Sequence, residues 1–350
     1  MEFPRKPGGA AGYRAETARR MRTGASRRSG TAARPGRTHV PAQHSHSPRP
    51  RGGTALQGTF VLAGVISVQL GAGIADKLFG TISPAAVTTL RLWAAALVMV
   101  AVGGRGAVWC AVGIVRDKAW RDAATTISFG IALGVMNFSI YQAFARIPLG
   151  VAVTVEFLGP LAVSVAGSRH RRNPLSKAGG DLVWVALGAL GVLLLTGGAG
   201  GHLNLAGVGF AVLAGGCWAA YILLSRATGQ RFAGPTGLVM AMAVAAVVVT
   251  PGGLGHRAMF RPTVLAEGAA IGVLSSVVPY WLELEVLRRI PARVFGVWMS
   301  LEPAVAALIG LVMLGQRLSA VEWFAIGCVI VACAGAARGA SASDQPGPPG

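Results

Sequence analysis

The sequence predicts an all-α integral membrane protein, with ten transmembrane helices arranged as two inverted five-helix repeats. Three observations carry that expectation. The chain is 53% hydrophobic and 13% charged, whereas soluble domains carry about 25% charged residues, so lipid is the solvent this composition fits. Ten apolar runs approach the roughly 20-residue length that a bilayer demands. Finally, Arg146-Ile147-Pro148, followed by Pro160, recurs 143 residues later as Arg289-Ile290-Pro291, followed by Pro303.

Residues 1–56 precede the first run. Residues 1–53 hold twelve of the 32 Lys and Arg residues, with Glu2 and Glu16 as their acids. A stretch this polar lacks the apolar content that would offset chain ordering, so it reads as a disordered, basic cytoplasmic tail. It contains no apolar h-region of the kind a secretory signal needs. An organellar transit peptide, or a true start at Met21, stays open. The net charge of +19 is concentrated in this tail, which favours contact with anionic lipid over nucleic acid. His39, His44 and His46 have no Cys or carboxylate companion. The cysteines Cys110, Cys217, Cys328 and Cys333 show no CxxC or Cys/His spacing. No metal and no cofactor is expected.

The ten spans fall near residues 57–75, 84–103, 123–144, 147–167, 181–197, 205–224, 235–253, 264–287, 290–314 and 319–337. Pro84, Pro148, Pro235 and Pro291 stand at first turns, where the missing N–H has no helical partner to lose. Pro160 and Pro303 lie inside spans four and nine, where each should free a carbonyl one turn back and kink the helix. The divisions are a first unit over 57–197, a second over 198–337 and a disordered tail over 338–350. Five spans per unit is an odd number, so the second unit enters the bilayer from the opposite side, an architecture that can expose one midplane site to each face in turn.

Lys and Arg in the connecting segments set orientation. With the amino terminus cytoplasmic, the count assigns the tail, the segments after spans two and four, Arg226, Arg231, Arg317 and Arg338 to the inside. Lys77, Arg146, Arg257, Arg261, Arg288, Arg289 and Arg293 are assigned to the outside. Both termini are then cytoplasmic in a multi-pass cell-membrane protein.

The run Ala143-Phe144-Ala145-Arg146-Ile147-Pro148-Leu149-Gly150, with Glu156-Phe157-Leu158-Gly159-Pro160 after it, resembles the EamA branch of the drug/metabolite transporter superfamily, in particular its threonine/homoserine exporter-like members. The second copy, Ser300-Leu301-Glu302-Pro303-Ala304 with Leu314-Gly315-Gln316-Arg317, is similar to the general EamA ending. The resemblance spans residues 57–337. It implies a central cavity lined by helices one to four and six to nine, and a secondary transporter that exports small polar metabolites, amino acids such as threonine or homoserine first among them, by alternating access. Export of another metabolite or a drug-like compound is the alternative, and a membrane scaffold or receptor is a further one. Gln316 departs from the Glu that the family usually carries there; a cytoplasmic loop is the expected setting.

No Ser/His/Asp set and no phosphate-binding loop occurs, so an enzyme is not expected and no catalytic residue is assigned. The informative residues are polar side chains in the spans, because a charge at a helix centre costs about 2.5–3.5 kcal/mol on insertion scales. At 1.5 Å per residue, Glu156 lies about 12 Å from the start of span four, level with Arg91 on span two and Asn137 on span three. These three either receive a substrate and its coupling proton, or form a fixed Arg91–Glu156 pair that joins two helices. Arg91 either binds a substrate carboxylate or snorkels to the interface. Glu302 is about 16 Å along span nine, near the midplane, and aligns with Gly159, so the repeat is broken in charge. Tyr141, Gln142, Tyr280 and Trp298, with Trp281, are either cavity walls or aromatic-belt anchors. Glu283 and Glu285 are read as interfacial partners of Arg288 and Arg289. The partners implied are a small-molecule substrate, lipid and exchangeable protons; oligomeric state is not legible.

Overall fold

Apolar side chains with no alternating period leave the backbone one way to satisfy its own polar groups in lipid, the α-helix. The computed structural model describes residues 53–169, 174–197, 204–232, 234–287, 289–290 and 292–339. The basic leading segment with its histidines, Arg288, Pro291 and the residues after 339 lie outside them. The described residues form α1 (Gly53–Leu78), α2 (Pro84–Arg116), α3 (Trp120–Phe144), α4 (Leu149–Glu156), α5 (Leu158–Arg169), α6 (Pro174–Gly197), α7 (Leu205–Gly229), α8 (Thr236–Gly253), α9 (Pro262–Gly272), α10 (Val278–Leu287), α11 (Ala292–Met299), α12 (Glu302–Leu314) and α13 (Ala320–Gly339). A π-helical turn, Val273–Val277, joins α9 to α10. Among the described residues, nine helical spans are long and apolar enough to cross a membrane; a shorter apolar stretch, Val183–Leu195 in α6, stands at the fifth position.

Two spans are broken. Span four divides at Phe157 into α4 and α5, and span nine divides at Ser300 and Leu301 into α11 and α12. The breaks keep the 143-residue register, since α4 covers 149–156 and α11 covers 292–299. Proline is the local cause. Pro160 and Pro303 each fall in the first turn of the second piece, and each denies an N–H to the carbonyl four residues back. The pieces are not packed alike: every residue of α4 is buried, whereas Val294 to Met299 on α11 are half-buried.

Spans pair in an orderly way. Span one lies antiparallel to span eight, with Ser67 Oγ donating to the Leu274 carbonyl at 2.7 Å and Gly64 against Leu282. Span three lies antiparallel to span six through Phe129 with Tyr221 and Phe138 with Phe210. Spans two and seven meet where Thr89 Oγ1 donates to the Val249 carbonyl. Spans four and nine cross at Gly150, where a Cβ would stand 2.7 Å from Ala307. Spans five and ten run antiparallel, with Gly188 facing Ala332 and Gly191 facing Ala325.

These contacts correct the charge assignment made from sequence. Gln316 Oε1 accepts a hydrogen bond from Leu149 N at 3.0 Å, so the loop carrying Gln316 and Arg317 shares an end with Arg146. At the other end, Ile290 packs with Val61 and Val65 of α1, and Arg231 pairs with Asp122 at 2.6 Å. Phe79, just past the end of α1, packs on Tyr141 near Arg146, whereas Ile290 packs at the start of α1, so Arg146 and Arg289, 143 residues apart, mark opposite ends of the bundle. Arg146 and Arg289 therefore cannot share a side, and the loop of Gln316 does not lie with the amino-terminal end.

Candidate functional site

The broken spans position the site. Because α4 stops at Glu156 and α12 starts at Glu302, each acid sits at a helix end in the middle of its span. Glycine lets the neighbouring helices close on the break: a Cβ on Gly215 of α7 would stand 2.7 Å from the Glu156 carbonyl oxygen, and one on Gly159 would meet the backbone of Gly215. Around these ends lies a cavity of about 120 Å³, lined by Val68, Gln69, Ala72, Arg91, Met136, Asn137, Ile140, Tyr141, Phe144, Val153, Glu156, Trp218, Ser275 and Glu302.

Each polar group has a definite setting. Gln69, 2% exposed, donates from Nε2 to Glu302 Oε1 at 2.9 Å. Arg91 donates from Nη2 to the Ser275 carbonyl at 3.1 Å, and its guanidinium lies 5.1 Å from the centre of the Tyr141 ring. That carbonyl belongs to the π turn, where Val278 N reaches back to the Val273 carbonyl. Wide turns of this kind leave carbonyls for outside donors; Arg91 and Ser67 supply two. Asn137 donates from Nδ2 to the Leu133 carbonyl at 2.8 Å. Tyr141, 1% exposed, packs on Phe79 and Phe144. Among the described residues, ion pairs join Arg116 to Asp117, Arg231 to Asp122 and Arg289 to Glu285; none joins Arg91 to Glu156. The fixed-pair reading of those two residues is thereby corrected: the π turn offers the guanidinium a carbonyl at closer range.

Of the residues singled out in the sequence, Arg91, Asn137, Tyr141, Glu156 and Glu302 line the cavity, and others do not. Gln142 is buried away from it, its Oε1 and carbonyl accepting from Arg146 Nη1 at 2.7 and 2.6 Å. Trp298 lies on Gly58 within the apolar cluster of Val61, Val65 and Val286. Trp281 is 69% exposed. Tyr280 lies on α10, and its side chain is outside the described residues. Pro160 and Pro303 stand beside the two breaks. Sequence reasoning missed Gln69, Trp218 and Ser275; a lone amide in the apolar run Val68-Gln69-Leu70 was the available signal for the first.

The arrangement brings one guanidinium and two carboxyl groups to the lining of a single partly open cavity, suited to a small zwitterion. Among the described residues, no group of three or more His, Cys, Asp or Glu side chains could hold a metal ion.

Comparison with known proteins agrees in kind. Residues 205–338 match the EamA-like transporter family. The threonine/homoserine exporter RhtA of Escherichia coli K12 is 35% identical over 79% of this chain and 89% of its own length, and RhtA of Salmonella typhimurium LT2 gives the same figures. The uncharacterized transporter YwfM of Bacillus subtilis 168 is 25% identical over 71% of this chain and 84% of its own. A protein of known crystal structure, 18% identical, is similar in fold over 83% of this chain and 99% of its own, with a TM-score of 0.50.

Proposed function

The chain belongs to the EamA-like transporter family, and from that membership we propose that it exports small amino acids, threonine and homoserine being the first candidates, across the cytoplasmic membrane. The observation that carries the reading is the cavity in which Arg91 and Glu156 face one space without pairing with each other. Arg91 receives the substrate carboxylate, for which its planar fork is suited. Glu156, which makes no hydrogen bond to another described side chain, receives the ammonium group or an exchanged proton. Glu302 is held ready by Gln69.

The same proposal includes ten spans in two inverted units, residues 57–197 and 198–337. The pairing supports it: numbering the spans in order, adding five exchanges the one–eight contact with the three–six contact. Pairs two–seven, four–nine and five–ten return to themselves. Self-paired spans that run antiparallel are what a two-fold axis in the membrane plane produces. Alternating access then exchanges the packing of α4 and α11, the equivalent pieces that differ in burial. Both termini are cytoplasmic in this proposal; the balance of Arg226, Arg231, Arg289 and Arg338 at one end of the second unit against Arg257, Arg261 and Arg317 at the other supports that side as the inner one.

Efflux decides the matter. Cells overproducing threonine or homoserine should release more of either with this protein than without it, and Glu156→Gln at equal membrane abundance should abolish the difference. Equal release with and without the wild-type protein overturns the proposal.

A further inference from the structure

We propose that Gln69 is the specificity-determining residue that selects amino acids with a side-chain hydroxyl, through its Oε1; this rests on the export reading above. Among the described residues, five buried side-chain polar atoms have no hydrogen-bond partner, and three of them belong to residues of this cavity: Gln69 Oε1, Arg91 Nε and Tyr141 OH. Buried polar atoms in native proteins are paired, so three unpaired ones around one chamber mark where a ligand's own polar groups go.

Their chemistry sorts them. Arg91 Nε can only donate, and a carboxylate answers it. Tyr141 OH, beside the guanidinium, can give a further hydrogen bond to the same group. Glu156, a carboxyl group with no hydrogen bond to another described side chain, answers the ammonium. Gln69 remains. Glu302 takes its Nε2, which fixes the amide and turns the carbonyl oxygen into an acceptor with no hydrogen of its own to offer. An amide acceptor beside two carboxyl groups is redundant for the ammonium, but it suits a hydroxyl hydrogen. In threonine the amino and hydroxyl groups sit on adjacent carbons, so a ligand whose ammonium lies at Glu156 holds its hydroxyl one carbon away, inside the cavity that Gln69 also lines.

Threonine and valine provide the test, because valine replaces the hydroxyl with a methyl group and keeps the shape. A site that hydrogen-bonds a substrate hydroxyl discriminates far more strongly than an apolar pocket can. Purified protein in liposomes should exchange internal threonine for external threonine, with valine a poor competitor. Gln69→Met, and Gln69→Lys, which keeps a donor for Glu302 and lacks an acceptor, should each reduce the threonine-to-valine preference by about tenfold or more. Valine competing as well as threonine in the wild type overturns the inference. So does an unchanged preference in both variants, the outcome expected if Gln69 only holds Glu302 or a water. A wild type that exchanges no amino acid refutes the export reading instead.

Discussion

Gly215 presses so closely on the carbonyl oxygen of Glu156 that a Cβ there would stand 2.7 Å from it. The contact joins α7 to the break in span four, where Pro160 offers no N–H to that carbonyl. Gly215→Ala should therefore push α7 away from the cavity, destabilising the protein by about 1–3 kcal/mol. Gly209 on the same helix has nothing within 4 Å, so Gly209→Ala should leave stability near wild type. Thermal unfolding in detergent compares them; equal loss in both variants would contradict the packing described.

Arg91→Lys retains the charge but loses the planar fork. The ammonium cannot serve the Ser275 carbonyl and a substrate carboxylate in the same geometry, so substrate half-saturation should rise by roughly tenfold, the equivalent of one good hydrogen bond to a charged group. Initial rates of threonine exchange over a concentration series give the value. Unchanged saturation would remove Arg91 from the binding site.

Neither carboxyl group of Glu156 and Glu302 should be needed for folding. In Glu302→Gln the new amide oxygen can still accept from Gln69 Nε2, so folding should be kept. Glu156 makes no hydrogen bond to another described side chain, so Glu156→Gln should also fold, with flux lost. The folded yield by size-exclusion chromatography, read beside flux, tests both; aggregation of Glu156→Gln would mean its carboxylate holds the helices together.

Gln316 receives the first N–H of α4, as an N-cap side chain would, after Pro148 has started the helix. Gln316→Ala should cost about 0.5–2 kcal/mol. Gln316→Glu, which restores the family's usual residue, keeps an acceptor and adds a negative charge at the positive end of a helix, so its melting temperature should match or exceed the wild type. Calorimetry in detergent ranks the three proteins.

Sidedness is open to direct labelling. In a background without native cysteines, a cysteine at position 317 should react in intact cells with a membrane-impermeant maleimide, and one at position 289 should react after lysis. The reverse pattern would invert the orientation proposed.

Span positions were legible in the sequence because apolar run length is nearly all that a bilayer requires. The breaks at Phe157 and Ser300 were foreshadowed by Pro160 and Pro303. Arg91, Asn137, Glu156 and Glu302 were conspicuous as polar side chains in apolar helices. What could not be read was direction around each helix. Gln142 and Tyr141 are adjacent, yet one holds Arg146 and the other lines the cavity. Trp298 looked like a cavity wall, but Gly58 leaves a flat seat for its ring. The Arg91–Glu156 pair was drawn from depth alone, and depth says nothing of a π turn whose carbonyl is nearer. The misplaced side of Gln316 was an error of counting: the alternation of sides from one span to the next was not carried through to the loops.

The turn at Val273–Val277 has a geometric consequence for everything after it. A helix advances about 100° per residue, and a π turn absorbs one residue more than an α turn does. Removing a single residue from that stretch would therefore close it to an α turn and leave α10 in phase, with Leu282 still on Gly64, whereas a deletion inside α10 itself would turn the face that holds Glu285 by about that angle. The seating of α10 against α1 thus depends on arithmetic along the backbone before it depends on which side chains are present.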